Sequence, residues 1–362
     1  MKIKKIQLGE IIVPLRTPFK TSLRTVDAVH DIVVKVTTDT GHVGYVEAPP
    51  TAVITGETRA SIRSAIEELI APKLIGRDIL AMEDNQELLH SALIGNTSAK
   101  AAVDMALYDL WAQELGQPLY RALGGSRNVI ETDLTISVND VEEMVRDSLE
   151  AIRRGFKVLK IKIGKNEALD LKRIEAIRSA VGKDIVLRVD ANQGWNVKEA
   201  LSIIDKFEKR GLGIELIEQP IHFSNLQGMI EVTKHSSIPI MADESIFSPI
   251  HALEVIQRRG ADIINIKLMK SGGIYQALNI LSIAQIHNVP CMIGCMLESK
   301  ISVSAAAHLA AAKNSILYVD LDGPGLCTID PVLGGPSFEE EKIIMNERPG
   351  LGIEAIEGLR LY

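Results

Sequence analysis

The sequence predicts an α/β chain in which a small α+β domain precedes a closed barrel of eight parallel strands. Three observations carry that prediction. After Gly124-Gly125 the pattern changes to short apolar runs separated by amphipathic helical stretches, and because parallel strands need long crossovers, this order implies a parallel sheet. Eight such runs are counted, near 131–138, 157–163, 185–190, 214–218, 239–242, 262–267, 291–295 and 316–321, a number and spacing at which a parallel sheet closes into a barrel. Before Gly124 the order is different. Lys2 to Val13 and Asp31 to Glu47 alternate like strands around a turn at Asp39-Thr40-Gly41, and helix-period segments follow at 58–71 and 98–115, the second stopped by Gly116 and Pro118. The expected division is 1–125, 126–322 and 323–362. The last segment lacks another strand-helix unit, carries several Gly and Pro, and is expected to pack back on the first domain.

Bulk properties narrow the function. At 362 residues, with 40 Lys and Arg against 47 Asp and Glu, the chain is mildly acidic and has no basic tract to neutralise phosphates. Gln7, Gly9 and Glu10 interrupt the apolar core that a secretory signal would need, and no later stretch reaches membrane-spanning length. The expectation is a cytoplasmic protein with no membrane and no nucleic-acid partner; a homo-oligomer is compatible with it. Cys291, Cys295 and Cys327 are odd in number and show no Cys-x-x-Cys spacing, so they are read as reduced packing residues.

In a parallel barrel, catalytic groups come from the C-terminal ends of the strands. Five consecutive apolar runs end there in a charge: Lys162, Asp190, Glu218, Asp243 and Lys267, spaced by about one strand-helix unit each. Three adjacent carboxylates repel unless a cation compensates them, and oxygen-only ligation favours magnesium, or manganese, over zinc. Taken singly, each carboxylate would more often be a helix cap or a surface ion pair; the series points to a metal. Lys162 and Lys267 flank the trio from opposite sides, which suits a two-base proton transfer. A lysine base must be shifted down from its ordinary value near 10.4, and a nearby cation and a second lysine both act in that direction. Lys160, two residues before Lys162, shares its strand face. Lys270 lies past the apolar run beside Ser271-Gly272-Gly273 and reads as a loop residue. Asp320 and Asp322 close the last strand on one face, where a substrate cation would explain the pair; capping of the strand end is the plainer alternative.

Lys160-Ile161-Lys162, Asp190-Ala191-Asn192-Gln193-Gly194-Trp195, Ile217-Glu218-Gln219-Pro220, Ala242-Asp243-Glu244-Ser245 and Asn265-Ile266-Lys267 together resemble the muconate lactonizing subgroup of the enolase superfamily. The resemblance covers nearly the whole chain. Gly44 to Pro49 and the loop Ile54-Thr55-Gly56 look like its capping domain, with Val46 departing from a usual glycine at a supposed turn. It implies a modified TIM barrel, (β/α)7β, with an N-terminal α+β capping domain completed by the C-terminal segment, and magnesium on Asp190, Glu218 and Asp243. Asp320-Leu321-Asp322 is similar to the motif with which dipeptide epimerases hold a substrate's ammonium. Relatives acting on muconate, succinylbenzoate or N-acylated amino acids have no such amine.

The activity so implied is epimerisation of a dipeptide at the α-carbon of its C-terminal residue through an enediolate, with Lys162 serving the L isomer and Lys267 the D isomer, and with Lys160 stabilising charge. In relatives the loop Thr17 to Thr25 closes over the barrel mouth. Arg24 matches a position that contacts the glutamate side chain of Ala-Glu, so acceptance of L-Ala-L-Glu is expected. Otherwise Leu23, Ile54 and Met296 would form an apolar pocket for a hydrophobic second residue. Thr135, on the first barrel strand, is taken as a further substrate contact. Competing readings are an o-succinylbenzoate synthase or N-acylamino acid racemase, a Schiff-base aldolase that leaves the carboxylates unexplained, and a non-catalytic binding protein on the same fold. Hydride chemistry lacks its Gly-x-Gly-x-x-Gly loop.

Overall fold

The computed structural model describes residues 1–21, 24–164 and 166–362, and its chain opens on an antiparallel sheet. β1 (Ile3–Lys20) and β2 (Thr25–Thr38) form a long ribbon, and β3 (Val43–Ala48) pairs with β2 after the Asp39-Thr40-Gly41 turn. The β1–β2 register breaks between Pro14 and Phe19, where Pro14 and Pro18 have no N–H for the ladder. Beyond the break the ribbon runs on to its tip, so Thr17 to Lys20 are strand rather than the expected loop; Ser22 and Leu23 lie outside the described residues. Val46 is a fully buried strand residue opposite Val34, so the turn supposed at that position does not exist. The helix Thr97–Glu114 packs on β3 and is buried on nearly every side, its row of alanines allowing close approach.

The barrel strands are β5 (Leu134–Ile136), β6 (Val158–Lys162), β7 (Val186–Asp190), β8 (Ile214–Glu218), β9 (Ile240–Ala242), β10 (Ile263–Lys267), β11 (Cys291–Gly294) and β12 (Ile316–Asp320). They form one sheet in chain order with parallel neighbours. Its two edges meet where Asp133 N–H donates to Val319 O at 3.3 Å and Leu321 N–H to Thr132 Oγ1 at 2.8 Å. Among the described residues, seven helical crossovers link the eight strands, the (β/α)7β order that was expected. Val197–Lys209 shows why these segments are helices. Asn196 and Glu199 make a reciprocal capping box, and Ala200, Ile203, Ile204 and Phe207 fall on one buried stripe.

The two-residue period of a strand decides everything about the interior. On β10, Ile264 and Ile266 face outward into the main core, while Ile263, Asn265 and Lys267 face inward. The lower interior is a separate apolar layer of Leu216, Met241, Ile263 and Met292 with Tyr318, closed by Arg188, whose guanidinium bonds Asp133 at 2.8 Å and Glu215 at 2.6 Å. Above that layer the side chains on the same faces are charged or polar, with Gly294 leaving space among them.

One expected strand divides. The run 131–138 contributes only Leu134–Ile136 to the barrel, because its first residue, Glu131, pairs with Lys342 of the C-terminal segment. β4 (Val129–Glu131) instead joins β14 (Ser337–Glu339) and β15 (Lys342–Ile344) in a separate sheet. The remaining C-terminal strands are β13 (Val332–Gly334), β16 (Ile353–Ile356) and β17 (Arg360–Leu361), the last adding to the outer edge of β1. No helix among the described residues is long and apolar enough to cross a membrane.

Candidate active site

The upper inward positions bring together Thr135, Lys160, Lys162, Asp190, Glu218, Asn265, Lys267 and Asp320, all buried. Parallel pairing puts Lys162, Asp190 and Glu218 level with one another on adjacent strands, and Lys267 level with Gly294 and Asp320. Lys160 Nζ is the centre of the cluster, 3.1 Å from Asp190 Oδ2, 2.6 Å from Glu218 Oε2 and 2.7 Å from Asp320 Oδ2. Lys162 Nζ donates to Asp190 Oδ2 at 2.6 Å, and Lys267 Nζ to Asp243 Oδ2 at 2.9 Å. Asp322 Oδ2 accepts from Thr135 N–H at 2.6 Å.

A ring of side chains that the strand-end pattern passed over sets these groups. Asn265 Nδ2 donates to Glu218 Oε1 at 2.9 Å; its place two residues before Lys267 was the available signal. Asp243 lies just past β9 and is held by Gln219, whose Oε1 accepts from Asp243 N–H at 2.9 Å while its Nε2 donates to Ile221 O and Ser245 Oγ. Lys270 is not a loop residue. Its side chain is 1% exposed and lies 2.5 Å from Asp243 Oδ1, because the chain after β10 turns straight into the short helix Leu268–Ser271 and sends it back under the mouth. The loops after β6 and β7 cross so closely that a Cβ on Gly194 would meet Gly164 O at 1.9 Å, which requires glycine in the Asn192-Gln193-Gly194 motif.

Burial and charge pull these groups apart. Burial raises Glu218, as does neighbouring Asp190, and its carboxyl is pushed up to about 7. For Asp320, the ammonium groups of Lys160, Lys267 and Lys162 overcome burial and hold it at about 2; Asp322, buried beside Asp320, rises to about 6. Burial lowers Lys160 and Lys267, but the carboxylates outweigh it. Asp320, Glu218 and Asp190 keep Lys160 well above the usual lysine range, and Asp243 keeps Lys267 above it despite the repulsion from Lys160. Lys160 acts on Lys267 in the expected downward direction, but among the protein's own groups Asp243 and the other carboxylates outweigh it.

The donor chemistry fits a hard divalent cation. Glu218 Oε2 and Asp243 Oδ1 are buried oxygens that no N–H or O–H addresses with hydrogen-bond geometry, each facing a lysine only as a point charge, and carboxylate oxygens alone suit magnesium. Among the described residues the His, Cys, Asp and Glu side chains form no ready-made cluster of three around one point; Asp190 and Asp243 face lysines, and Glu218 faces Lys160 and Asn265.

The capping sheet closes the mouth. At the ribbon tip Val138 N–H donates to Lys20 O at 3.2 Å and Lys20 Nζ to Asn139 Oδ1 at 2.6 Å. Arg24, Ile54, Thr135, Met296, Asp320 and Asp322 share one pocket with Lys160, Lys162, Asp243 and Lys267. Cys295 lines it too, so it is more than the packing residue that the sequence suggested; Cys291 and Cys327 are buried. Glu244 also reaches the pocket.

A barrel whose mouth holds lysines on both sides of a buried acidic cluster defines a class: enzymes that move a proton next to a carboxylate beside a hard cation. Residues 5–124 match the family described as mandelate racemase / muconate lactonizing enzyme, N-terminal domain, and residues 143–358 match the enolase C-terminal domain-like family. The chain belongs to the mandelate racemase/muconate lactonizing enzyme family of the enolase superfamily. It is 52% identical to the L-Ala-D/L-Glu epimerase of Clostridium acetobutylicum over 98% of this chain and 99% of that one. It superposes on the substrate-liganded L-Ala-D/L-Glu epimerase of Bacillus subtilis with TM-score 0.97 and 49% identity, covering 98% and 99%. The Enterococcus faecalis dipeptide epimerase, solved with Mg and L-Leu-L-Tyr, matches with TM-score 0.95 and 40% identity, covering 98% and 100%.

Proposed function

We propose that the protein is a magnesium-dependent isomerase that epimerises a dipeptide at the α-carbon of its C-terminal residue. Its likeness over nearly the whole chain to L-Ala-D/L-Glu and hydrophobic dipeptide epimerases supports this. The observation that carries it is Lys162 and Lys267 in one pocket with Asp320 and Asp322. Asp190, Glu218 and Asp243 are assigned to the metal, and the wider acidic cluster that Asp320 completes around Lys160 supplies the negative potential. Held by these three carboxylates, magnesium would supply positive charge opposite the substrate carboxylate, and Lys162 and Lys267 would then face less uncompensated carboxylate.

In this reading Lys162 removes the α-proton from one face and Lys267 returns a proton to the other; with the opposite isomer the roles exchange. Lys160 faces the carboxylate end and offsets the charge that develops there. Asp320, ionised, and Asp322 receive the terminal ammonium. Arg24 and Met296, with Ile54, border the second residue's side chain. The division at 1–125, 126–322 and 323–362 is part of the same proposal, as are a cytoplasmic location, in keeping with three unpaired cysteines, and self-association, in keeping with Ile94 and Ile250, 97% and 76% exposed.

The test of the dipeptide reading is Asp320→Asn and Asp322→Asn. Each lowers kcat/KM for a dipeptide by about 30-fold or more, the roughly 2 to 5 kcal/mol lost when one partner of a buried charge pair is removed. Turnover of an N-succinyl amino acid falls much less, because it has no ammonium. Equal losses on both substrate types would refute the assignment.

Arg24→Leu tests the side-chain preference. Burial pulls the Arg24 guanidinium down while Asp31 opposes it, and a charge-assisted bond to a substrate carboxylate is worth about 1.5 to 3 kcal/mol. The ratio of catalytic efficiencies for L-Ala-L-Glu over L-Ala-L-Leu therefore drops about tenfold or more in the variant. A ratio already below one and unmoved by the substitution assigns the pocket to apolar residues instead.

A further inference from the structure

Ser302, in the first turn of the helix Lys300–Ala312, places its hydroxyl between two buried carboxyl groups. Its Oγ is 2.8 Å from Glu47 Oε1, on β3 of the capping sheet, and in closer contact with Glu298 Oε2, in the loop after β11. Glu47 is 0% and Glu298 4% exposed. A serine hydroxyl has one proton. It donates to one carboxyl, and the other contact brings oxygen against oxygen at hydrogen-bond distance, which is attractive only if a second proton lies there.

The remaining bonds decide where that proton is. Glu47 accepts at both oxygens, Oε1 from Ser302 N–H at 3.3 Å and Oε2 from Ser299 Oγ at 2.8 Å, the pattern of a carboxylate. Glu298 Oε1 accepts from Met296 N–H at 2.6 Å, which leaves Oε2 to carry hydrogen. We infer that Glu298 is protonated on Oε2 and donates to Ser302 Oγ, which donates to the Glu47 carboxylate, so that one shared proton pins the loop carrying Met296 to the capping sheet. Glu298 and Glu47 are thus positioning residues. They act on the pocket through Met296, and for that consequence the inference rests on the dipeptide reading; the proton itself does not.

The surroundings agree. Burial and Glu47 push the Glu298 carboxyl up to about 7 against the opposing influence of Ser302, Met296 N–H and Lys267 from β10, and Glu47 is raised by burial. Asp31 on β2 is held well above the carboxylate range by burial, Glu47 and Glu298, with Arg24 opposing. The Cys295 and Cys327 thiols are both pushed up by burial and these carboxyls. Because the folded Glu298 titrates higher than an unfolded glutamate, its stabilisation is fully present below the ordinary carboxylate range and is lost as pH rises through about 7.

Glu298→Gln is the test, since its Oε1 still serves Met296 N–H and its amide N–H replaces the proton on Ser302. Wild-type Tm falls relative to the variant by on the order of 5 °C between about pH 5.5 and 8.5. A protonated-carboxyl infrared band present in the wild type is missing from the variant. KM for the dipeptide rises about threefold or more over the same range in the wild type only, with kcat little changed. Ser302→Ala, which leaves the two carboxyls unbridged, shows a steeper loss of Tm with pH. Parallel Tm curves for wild type and E298Q, with no difference band, would overturn the shared proton. A differential Tm with a flat KM overturns the positioning role. Absence of any dipeptide turnover while Tm and infrared differ as stated counts against the assigned substrate and supports the proton.

Discussion

Replacing Lys162 or Lys267 with Ala abolishes epimerisation, with kcat falling by about 10²- to 10⁴-fold, the usual worth of a positioned general base or acid. The stronger discriminator is isotopic. In deuterium oxide, Lys162→Ala still exchanges the α-proton of one stereoisomer through Lys267, and Lys267→Ala exchanges that of the other, because each remaining lysine faces one side of the carbon. Both substitutions leave a buried carboxylate with less compensation: Asp190 loses a donor at 2.6 Å and Asp243 one at 2.9 Å. Circular dichroism is therefore run beside the kinetics, and Lys→Met is the control that keeps the apolar stem. If both variants epimerise at near-normal rates, or if neither shows isomer-selective exchange, the two-base assignment is wrong.

Removal of divalent metal gives the second large effect. After exhaustive chelation turnover falls to background, and magnesium or manganese restores it. The reason is electrostatic. Asp190 and Glu218 end adjacent strands and Asp243 follows the next one directly, and their charge faces the lysines, which hold their protons accordingly. Metal that binds only the folded chain also stabilises it, by about 2.7 kcal/mol at a hundred times its Kd, so Tm rises with added magnesium even in the absence of substrate. Full activity of a protein shown to be metal-free would remove the site.

Much of the site is legible in the amino-acid sequence, and for a specific reason. A barrel strand repeats its inward face every second residue, so a charge ending an apolar run of that period has one place to go. Lys160 and Lys162 on β6 and Asp190 on β7 are read by that rule without ambiguity. The same rule places Asn265 with Lys267, although the charge pattern alone drew no attention to an uncharged side chain. Where the pairing partner lies far along the chain, the reading failed. The run 131–138 looks continuous, yet Glu131 pairs with Lys342 in a separate sheet while Leu134–Ile136 pairs with the barrel, and the strand divides between them. Lys270 follows a strand end in a stretch with no strand period, so nothing in its neighbours betrays that it folds back onto Asp243.

The sequence by itself determined the alternation of strands and helices, the inward charges at the strand ends and the paired aspartates that close the last strand, because all of these follow from periodicities local to a few residues. Only the tertiary structure decided which charge meets which. That Lys160 rather than Lys162 is the hub of the carboxylates, that Gln219 carries the Asp243 loop, and that Ser302 reaches Glu47 of the capping sheet all depend on chain segments between 24 and 255 residues apart. No local pattern encodes such pairings; they arise when the barrel closes and the cap settles over its mouth.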